Sequence, residues 1–194
     1  MSQPQTQHYT TEAEYLAFEN DGEVRHEYVD GQIYAMAGAS DKHNRVTGNV
    51  FFHLRRQTRQ THCVTYQSDM KLRLEGGRYF YYPDVMLCCD ANDNIGGYYR
   101  EQPCIIVEVS SPSTSSIDRR EKLLNYQRIP SLRYYLLVSP EHVQVDYYQR
   151  NASNQWEKAS LENNEVLDIH CGDSTLHLTL EDIYEDMGIF EGNK

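Results

Sequence analysis

Apolar positions recur at two different periods along this chain, and the changes of period mark out its elements. Near the start, Thr11 and Glu14 precede Tyr15, Leu16 and Phe18 in the spacing of a capping box, which opens a helix running to about Asn20. Two alternating runs, Arg25-His26-Glu27-Tyr28-Val29 and Gln32-Ile33-Tyr34-Ala35-Met36, flank Asp30-Gly31, a dipeptide suited to a tight hairpin turn. Ser40 can cap a longer helix through about Gln60, in which Val46, Val50, Phe51 and Leu54 recur at three- and four-residue steps as one stripe.

Strand-like runs follow at 63–74, 78–89 and 103–110, the first two separated by Glu75-Gly76-Gly77. A helix at about 116–129 stops before Pro130, and Arg133-Tyr134-Tyr135-Leu136-Leu137-Val138 reads as another strand. Val143-Gln144-Val145-Asp146-Tyr147-Tyr148 alternates, Trp156 marks a further strand, and Thr179 opens a last helix over Leu180 to Met187. Residues 1–8 are polar and are expected to be disordered. With no internal repeat and no linker, residues 9–190 are expected to form a single domain.

The chain has 194 residues and a formal net charge of −11. That charge argues against a protein that coats DNA non-specifically, because affinity for phosphate grows with the number of cationic contacts. It leaves room for a nuclease, since bound metal and a local basic surface can dominate one cleft. No apolar run is long enough to span a bilayer, and Met1-Ser2-Gln3-Pro4-Gln5 lacks a signal-peptide pattern, so the expected setting is the cytoplasm without membrane contact. The five cysteines are odd in number and contain no C-x-x-C pair, which points to buried reduced thiols. No histidine pair has zinc-ligand spacing. The 16 tyrosines, many in strand-like runs, suit a sheet face or a subunit interface.

Two acidic residues stand out from their apolar surroundings: Asp84 in Tyr82-Pro83-Asp84-Val85 and Glu108 in Ile105-Ile106-Val107-Glu108-Val109. A carboxylate among Val, Ile and Leu is costly to desolvate unless a cation or hydrogen bonds compensate it. Two such groups supply the hard oxygens that Mg²⁺ or Mn²⁺ requires, and the Val109 carbonyl can add a third. Lys122, one helical turn after Asp118 and one before Tyr126, is placed to orient a water and offset negative charge. The type of chemistry indicated is hydrolysis of a phosphodiester. Set against this, Asp84 could cap a turn, Lys122 could pair with Asp118 on a solvated helix, and His43 could be a capping or packing residue. Lys42, Arg45, Arg55, Arg56 and Arg59 form a basic helix face that could track a phosphate backbone, although a solvated face is the commoner meaning of such a cluster.

Residues 82–140 resemble the Uma-type family of bacterial restriction-endonuclease-like proteins. The likeness is carried by Tyr82-Pro83-Asp84-Val85, Val107-Glu108-Val109-x-Ser111-Pro112-Ser113-Thr114, Asp118-Arg119-x-Glu121-Lys122-x-x-x-Tyr126 and Ile129-Pro130-Ser131-Leu132-Arg133-x-Tyr135-Leu136-Leu137-Val138, and upstream by Glu27-x-x-Asp30-Gly31-x-Ile33 and His43. The resemblance implies an α/β restriction-endonuclease-like fold, with a mixed central sheet flanked by helices and an N-terminal helix-hairpin extension. The order helix, three strands, helix, strand from residue 40 onward agrees with that core. It further implies a PD-(D/E)-x-K nuclease with Asp84 and Glu108 as metal-binding carboxylates. Ser110 stands where the wider superfamily has lysine, so the resemblance shifts that role to Lys122, and Glu27 becomes the candidate for a further acidic ligand. A DNA substrate and a homodimer follow by analogy of fold. The rival expectations are a nuclease-fold scaffold that has lost turnover, and a hydrolase of RNA or small phosphoesters.

Overall fold

The computed structural model describes residues 9–93, 97–110 and 116–189, the side chains of 116–119 excepted. The expected disorder of residues 1–8 and the turn through Ser111-Pro112-Ser113-Thr114 lie outside the described residues. Helix α1 (Glu12–Asp21) begins with the anticipated capping box, Thr11 accepting from the Glu14 amide and Glu14 accepting from the Thr11 amide. Strands β1 (His26–Val29) and β2 (Gln32–Ala35) pair with Val29 opposite Gln32, and the turn residues Asp30 and Gly31 sit at φ 45° and 88°. Helix α2 (Asp41–Gln57) is capped by Ser40, whose hydroxyl accepts from the His43 amide. It ends at Gln57, short of Gln60, where Thr58 turns its amide back onto the Leu54 carbonyl.

Two of the long runs break where the pattern alone reads continuous strands. The first gives β3 (Val64–Gln67) and β4 (Lys71–Leu74), interrupted at Ser68, whose φ of 47° turns the chain out of its sheet. The second gives β5 (Tyr79–Tyr81) and β6 (Val85–Cys88), interrupted at Pro83, which has no N–H for a ladder. A short β7 (Tyr99–Arg100) precedes β8 (Pro103–Val109), helix α3 (Ser116–Tyr126) and β9 (Tyr134–Val138). The chain continues through β10 (Val145–Arg150), β11 (Trp156–Ser160), β12 (Leu167–Cys171), β13 (Ser174–Leu178) and α4 (Leu180–Ile183).

The breaks allow one stretch of chain to serve two sheets. The central sheet runs β11-β10-β9-β8-β6-β3, with β8 and β9 parallel across α3 and the other pairs antiparallel. The second sheet runs β2-β1-β5-β4-β7 and carries the N-terminal hairpin. The core therefore matches the expected mixed sheet, while the hairpin β12–β13 was not anticipated from the sequence. Its signal is present in the buried-exposed alternation of Leu167-Asp168-Ile169-His170-Cys171.

On one face of the central sheet, Val46, Val50 and Leu54 of α2 pack against Val85, Leu87, Ile105, Val107 and Leu136. On the other, Met86, Ile106 and Tyr135 meet Leu72 and Tyr81 of the second sheet and Tyr126 of α3. Here the tyrosines form an internal aromatic line, Tyr79–Tyr81–Tyr126–Tyr135–Tyr148, with ring centroids 5.2–6.2 Å apart. At the exit from α3, Arg150 donates to the Gln127 and Ile129 carbonyls at 2.9 Å while its guanidinium lies over the Trp156 ring.

The expectation of reduced thiols is corrected. Cys63 is bonded to Cys89 and Cys104 to Cys171, with Cα–Cα separations of 4.1 and 5.9 Å, leaving Cys88 buried as a free thiol. Spacing cannot reveal such pairs because it is the β3–β6 register and the packing of β12 on β8 that bring them together. Cysteine usage accordingly no longer argues for a reducing compartment.

Candidate active site

The site lies where β6 and β8 approach α3. Val85 pairs with Val107, so carrying the register on by one residue sets Asp84 across from Glu108. Asp84 itself lies one residue before β6, its main-chain carbonyl accepting from the Ser68 amide. Its Oδ2 accepts from the Val109 amide at 2.7 Å and meets Nε2 of His43 at 3.3 Å. Strand parity places Glu108 on the same face as Ile106, toward α3, and away from the aliphatic packing of Val107 and Val109.

Helix α3 answers Glu108 with two residues one turn apart. The Tyr126 hydroxyl donates to Glu108 Oε1 at 2.7 Å, and the Lys122 ammonium lies 3.8 Å from the same oxygen. Lys122 also pairs with Glu27 at 2.7 Å. Glu27 reaches this point because its neighbour Tyr28 packs with Tyr15 and Phe80, which directs residue 27 to the opposite face of the second sheet. The Tyr82 amide lies 3.5 Å from the same Glu27 oxygen. Beneath the ammonium is the Tyr81 ring, at 5.4 Å, whose hydroxyl accepts from buried Asn125.

Three carboxylates thus converge on one ammonium and one imidazole, each side chain no more than 16% exposed. Burial pushes the Glu108 carboxyl up to about 7, with Asp84 and Glu27 adding like charge and the Lys122 ammonium and Tyr126 hydroxyl opposing the rise. Hydrogen bonding to Asp84 raises the His43 imidazole against the effect of burial, and the Val109 carbonyl lies beside that ring and adds to the rise. Burial holds Tyr126 well above the ordinary phenol range, so it remains a donor to Glu108.

Of the residues singled out from the sequence, Asp84, Glu108, Lys122, Tyr126, Glu27 and His43 come together, with Val109 between Asp84 and His43. The Asp118 side chain lies outside the described residues. Tyr81 and Asn125 were not anticipated; a tyrosine in a strand gives no sign that it will lie under a lysine from another element. On the α2 basic face, Lys42 is engaged by Glu141 and Arg45 by the Asp186 carbonyl, while Arg56 stacks over Phe52.

The donor set suits a hard divalent cation. Asp84 Oδ1 and Glu108 Oε2 carry no hydrogen bond among the described residues, and with Glu27 they set three carboxylates against one ammonium. Among the described residues no three His, Cys, Asp or Glu are grouped closely enough to hold a metal ion of any kind, and Glu27 is engaged by Lys122. Two carboxylates and a carbonyl fit Mg²⁺ or Mn²⁺, ions that retain several waters.

Comparison with known proteins bears on family and fold. Residues 12–181 match the Uma2 family, described as "Putative restriction endonuclease". Two proteins of Synechocystis sp. (strain ATCC 27184 / PCC 6803 / Kazusa), slr1290 and sll1609, both described as uncharacterized, are 36% and 34% identical over 143 and 161 residues. Those alignments cover 74% and 80% of this chain and 75% and 90% of the relatives. A crystal structure from Anabaena variabilis ATCC 29413, described as "a putative nuclease belonging to DUF820", superposes with a TM-score of 0.73 at 17% identity, covering 90% of this chain and 97% of that one. The fold is restriction-endonuclease-like, and the chain belongs to the Uma2 family.

Proposed function

We propose that this protein is a Mg²⁺- or Mn²⁺-dependent DNA endonuclease. The observation that carries the reading is the Lys122 ammonium held between Glu27 and Glu108, with Asp84 set across from Glu108 by strand register. Family membership supports a nuclease, and the donor set supports the metal. A cation held by Asp84, Glu108 and the Val109 carbonyl would neutralise a non-bridging phosphate oxygen and acidify a water.

The protein's own residues do the positioning. The Val109 amide and His43 fix one Asp84 oxygen and leave the other open. Tyr126 does the same for Glu108. Lys122 supplies a donor to the attacking water or to a phosphate oxygen, and Glu27 with the Tyr81 ring keeps its ammonium at the mouth of the site. Two chains acting together would cut both strands of a duplex, which is why a homodimer forms part of the proposal.

Calorimetric titration with Mn²⁺, beside nicking of supercoiled plasmid, tests the reading. Wild type binds one Mn²⁺ and nicks; Asp84→Asn keeps the fold, because the amide oxygen still accepts from Val109, but loses both properties. Absence of Mn²⁺ binding in folded wild type would overturn the proposal in favour of a scaffold. Cleavage confined to RNA would keep the site and replace the substrate.

A further inference from the structure

The strands that bring Asp84 and Glu108 together carry a second feature at their opposite ends. Just beyond Cys88, and at Cys104 near the start of β8, a groove of about 630 Å³ opens to solvent. It is lined by one cysteine from each disulfide, Cys89 and Cys104. Around them stand Arg133, His62 and His170, with Asp90 the acidic residue among the lining groups. Arg133 is anchored through its main chain, its amide donating to the Cys104 carbonyl. Its guanidinium makes no ion pair or hydrogen bond among the described residues. On a chain of net charge −11 the groove is itself balanced in formal charge, one arginine against one aspartate, and the Arg133 guanidinium is exposed to an incoming anion.

We propose that this groove is a thiol–disulfide exchange site for a low-molecular-weight thiol bearing carboxylates. The rim binds the carboxylates through Arg133, and the floor presents the reacting bond. Cys89 is half-buried whereas Cys104 is 6% exposed, so attack falls on Cys89. The incoming thiolate bonds to the Cys89 sulfur, the Cys63–Cys89 bond breaks, and Cys63 departs as a thiolate that takes up the proton given off by the incoming thiol. A second thiolate attacks the outer sulfur of this mixed disulfide and releases Cys89 in the same way. In sum, two small thiols become one small disulfide and the protein gains two thiols. Because Cys63 immediately precedes β3, the last strand of the central sheet, exchange unpins that edge.

The test compares reduced glutathione, which is anionic, with cysteamine, which is cationic, at equal thiolate concentration on the full-length protein. Acid quenching, alkylation and peptide mass spectrometry follow the state of each cysteine with time. Glutathione is expected to open Cys63–Cys89 before Cys104–Cys171 and to leave a transient adduct on Cys89. Arg133→Ala is expected to slow glutathione by about fivefold, the upper range for one exposed ion pair, and not to slow cysteamine. Equal rates for the two thiols in wild type, an adduct on another cysteine, or no effect of Arg133→Ala would each overturn the proposal. Arg133 lies outside the candidate active site, so none of these outcomes bears on nuclease activity.

Discussion

The two faces of the central sheet solve different problems. The α2 face is largely aliphatic, with Val46, Val50, Leu54, Ile105 and Val107 fully buried beside a few buried polar residues of α2 such as Thr47 and His53. The α3 face buries Tyr79, Tyr81, Tyr126 and Tyr135, and it is on this side that Glu108, Glu27 and Lys122 meet. A tyrosine contributes a large apolar body together with a hydroxyl that can satisfy a buried neighbour. Tyr126 donates to Glu108, and Tyr81 accepts from Asn125 while its ring faces the Lys122 ammonium. The aliphatic face thus supplies stability and the tyrosine face makes charge tolerable. Substitutions on the two sides are expected to separate these roles.

The largest effect is expected at Lys122. Lys122→Met leaves Glu27 and Glu108 buried without their ammonium, and chemical denaturation should show a loss of about 3 kcal/mol, typical of breaking a buried ion pair from one side. Plasmid nicking by the folded fraction should fall by at least about 100-fold, the low end for losing a positioned proton-transfer group. On the aliphatic face, Leu54→Ala should cost about 2–3 kcal/mol by the same denaturation measurement. The protein that remains folded should bind Mn²⁺ as wild type does, and weakened binding would show that the faces are not independent.

Tyr126→Phe is the smallest change and the sharpest comparison, because the ring stays in the aromatic line and only one donor to Glu108 is lost. Stability should fall by about 1.5 kcal/mol, as for a hydrogen bond to a charged group. Mn²⁺ affinity, read by calorimetry, should drop about tenfold, as for other groups that orient a metal ligand. A stability loss with unchanged Mn²⁺ affinity would reduce Tyr126 to a packing residue.

Much of this arrangement was legible before any coordinates. Asp84 and Glu108 could be read as carboxylates on neighbouring strands, although not their register, and Lys122 and Tyr126 share a helix face by their four-residue spacing. Glu27 was harder, since its approach depends on how the second sheet stacks over the first. The division of 63–74 and 78–89 between two sheets was signalled by Gln67-Ser68-Asp69 in the first run and Pro83-Asp84 in the second, but the strand-like residues on either side outweighed those breaks. The turns at Ser68 and Pro83 redirect the chain at those breaks, and which sheet each half joins is set only by tertiary pairing. The two disulfides escaped for a related reason: their partners lie 26 and 67 residues apart and meet only through tertiary structure.

Arg150 carries a consequence that reaches beyond its own neighbourhood. Its guanidinium clasps the carbonyls just past the end of α3, while Lys122 and Tyr126 ride on the helix before them. Strand β10 therefore acts as a distant tether on the angle at which both residues enter the cleft. Shortening that tether with Arg150→Lys would forfeit the forked grip, and the helix would settle at a new tilt. Relatives with the same cleft residues would then differ in the set of the cleft through this strand alone.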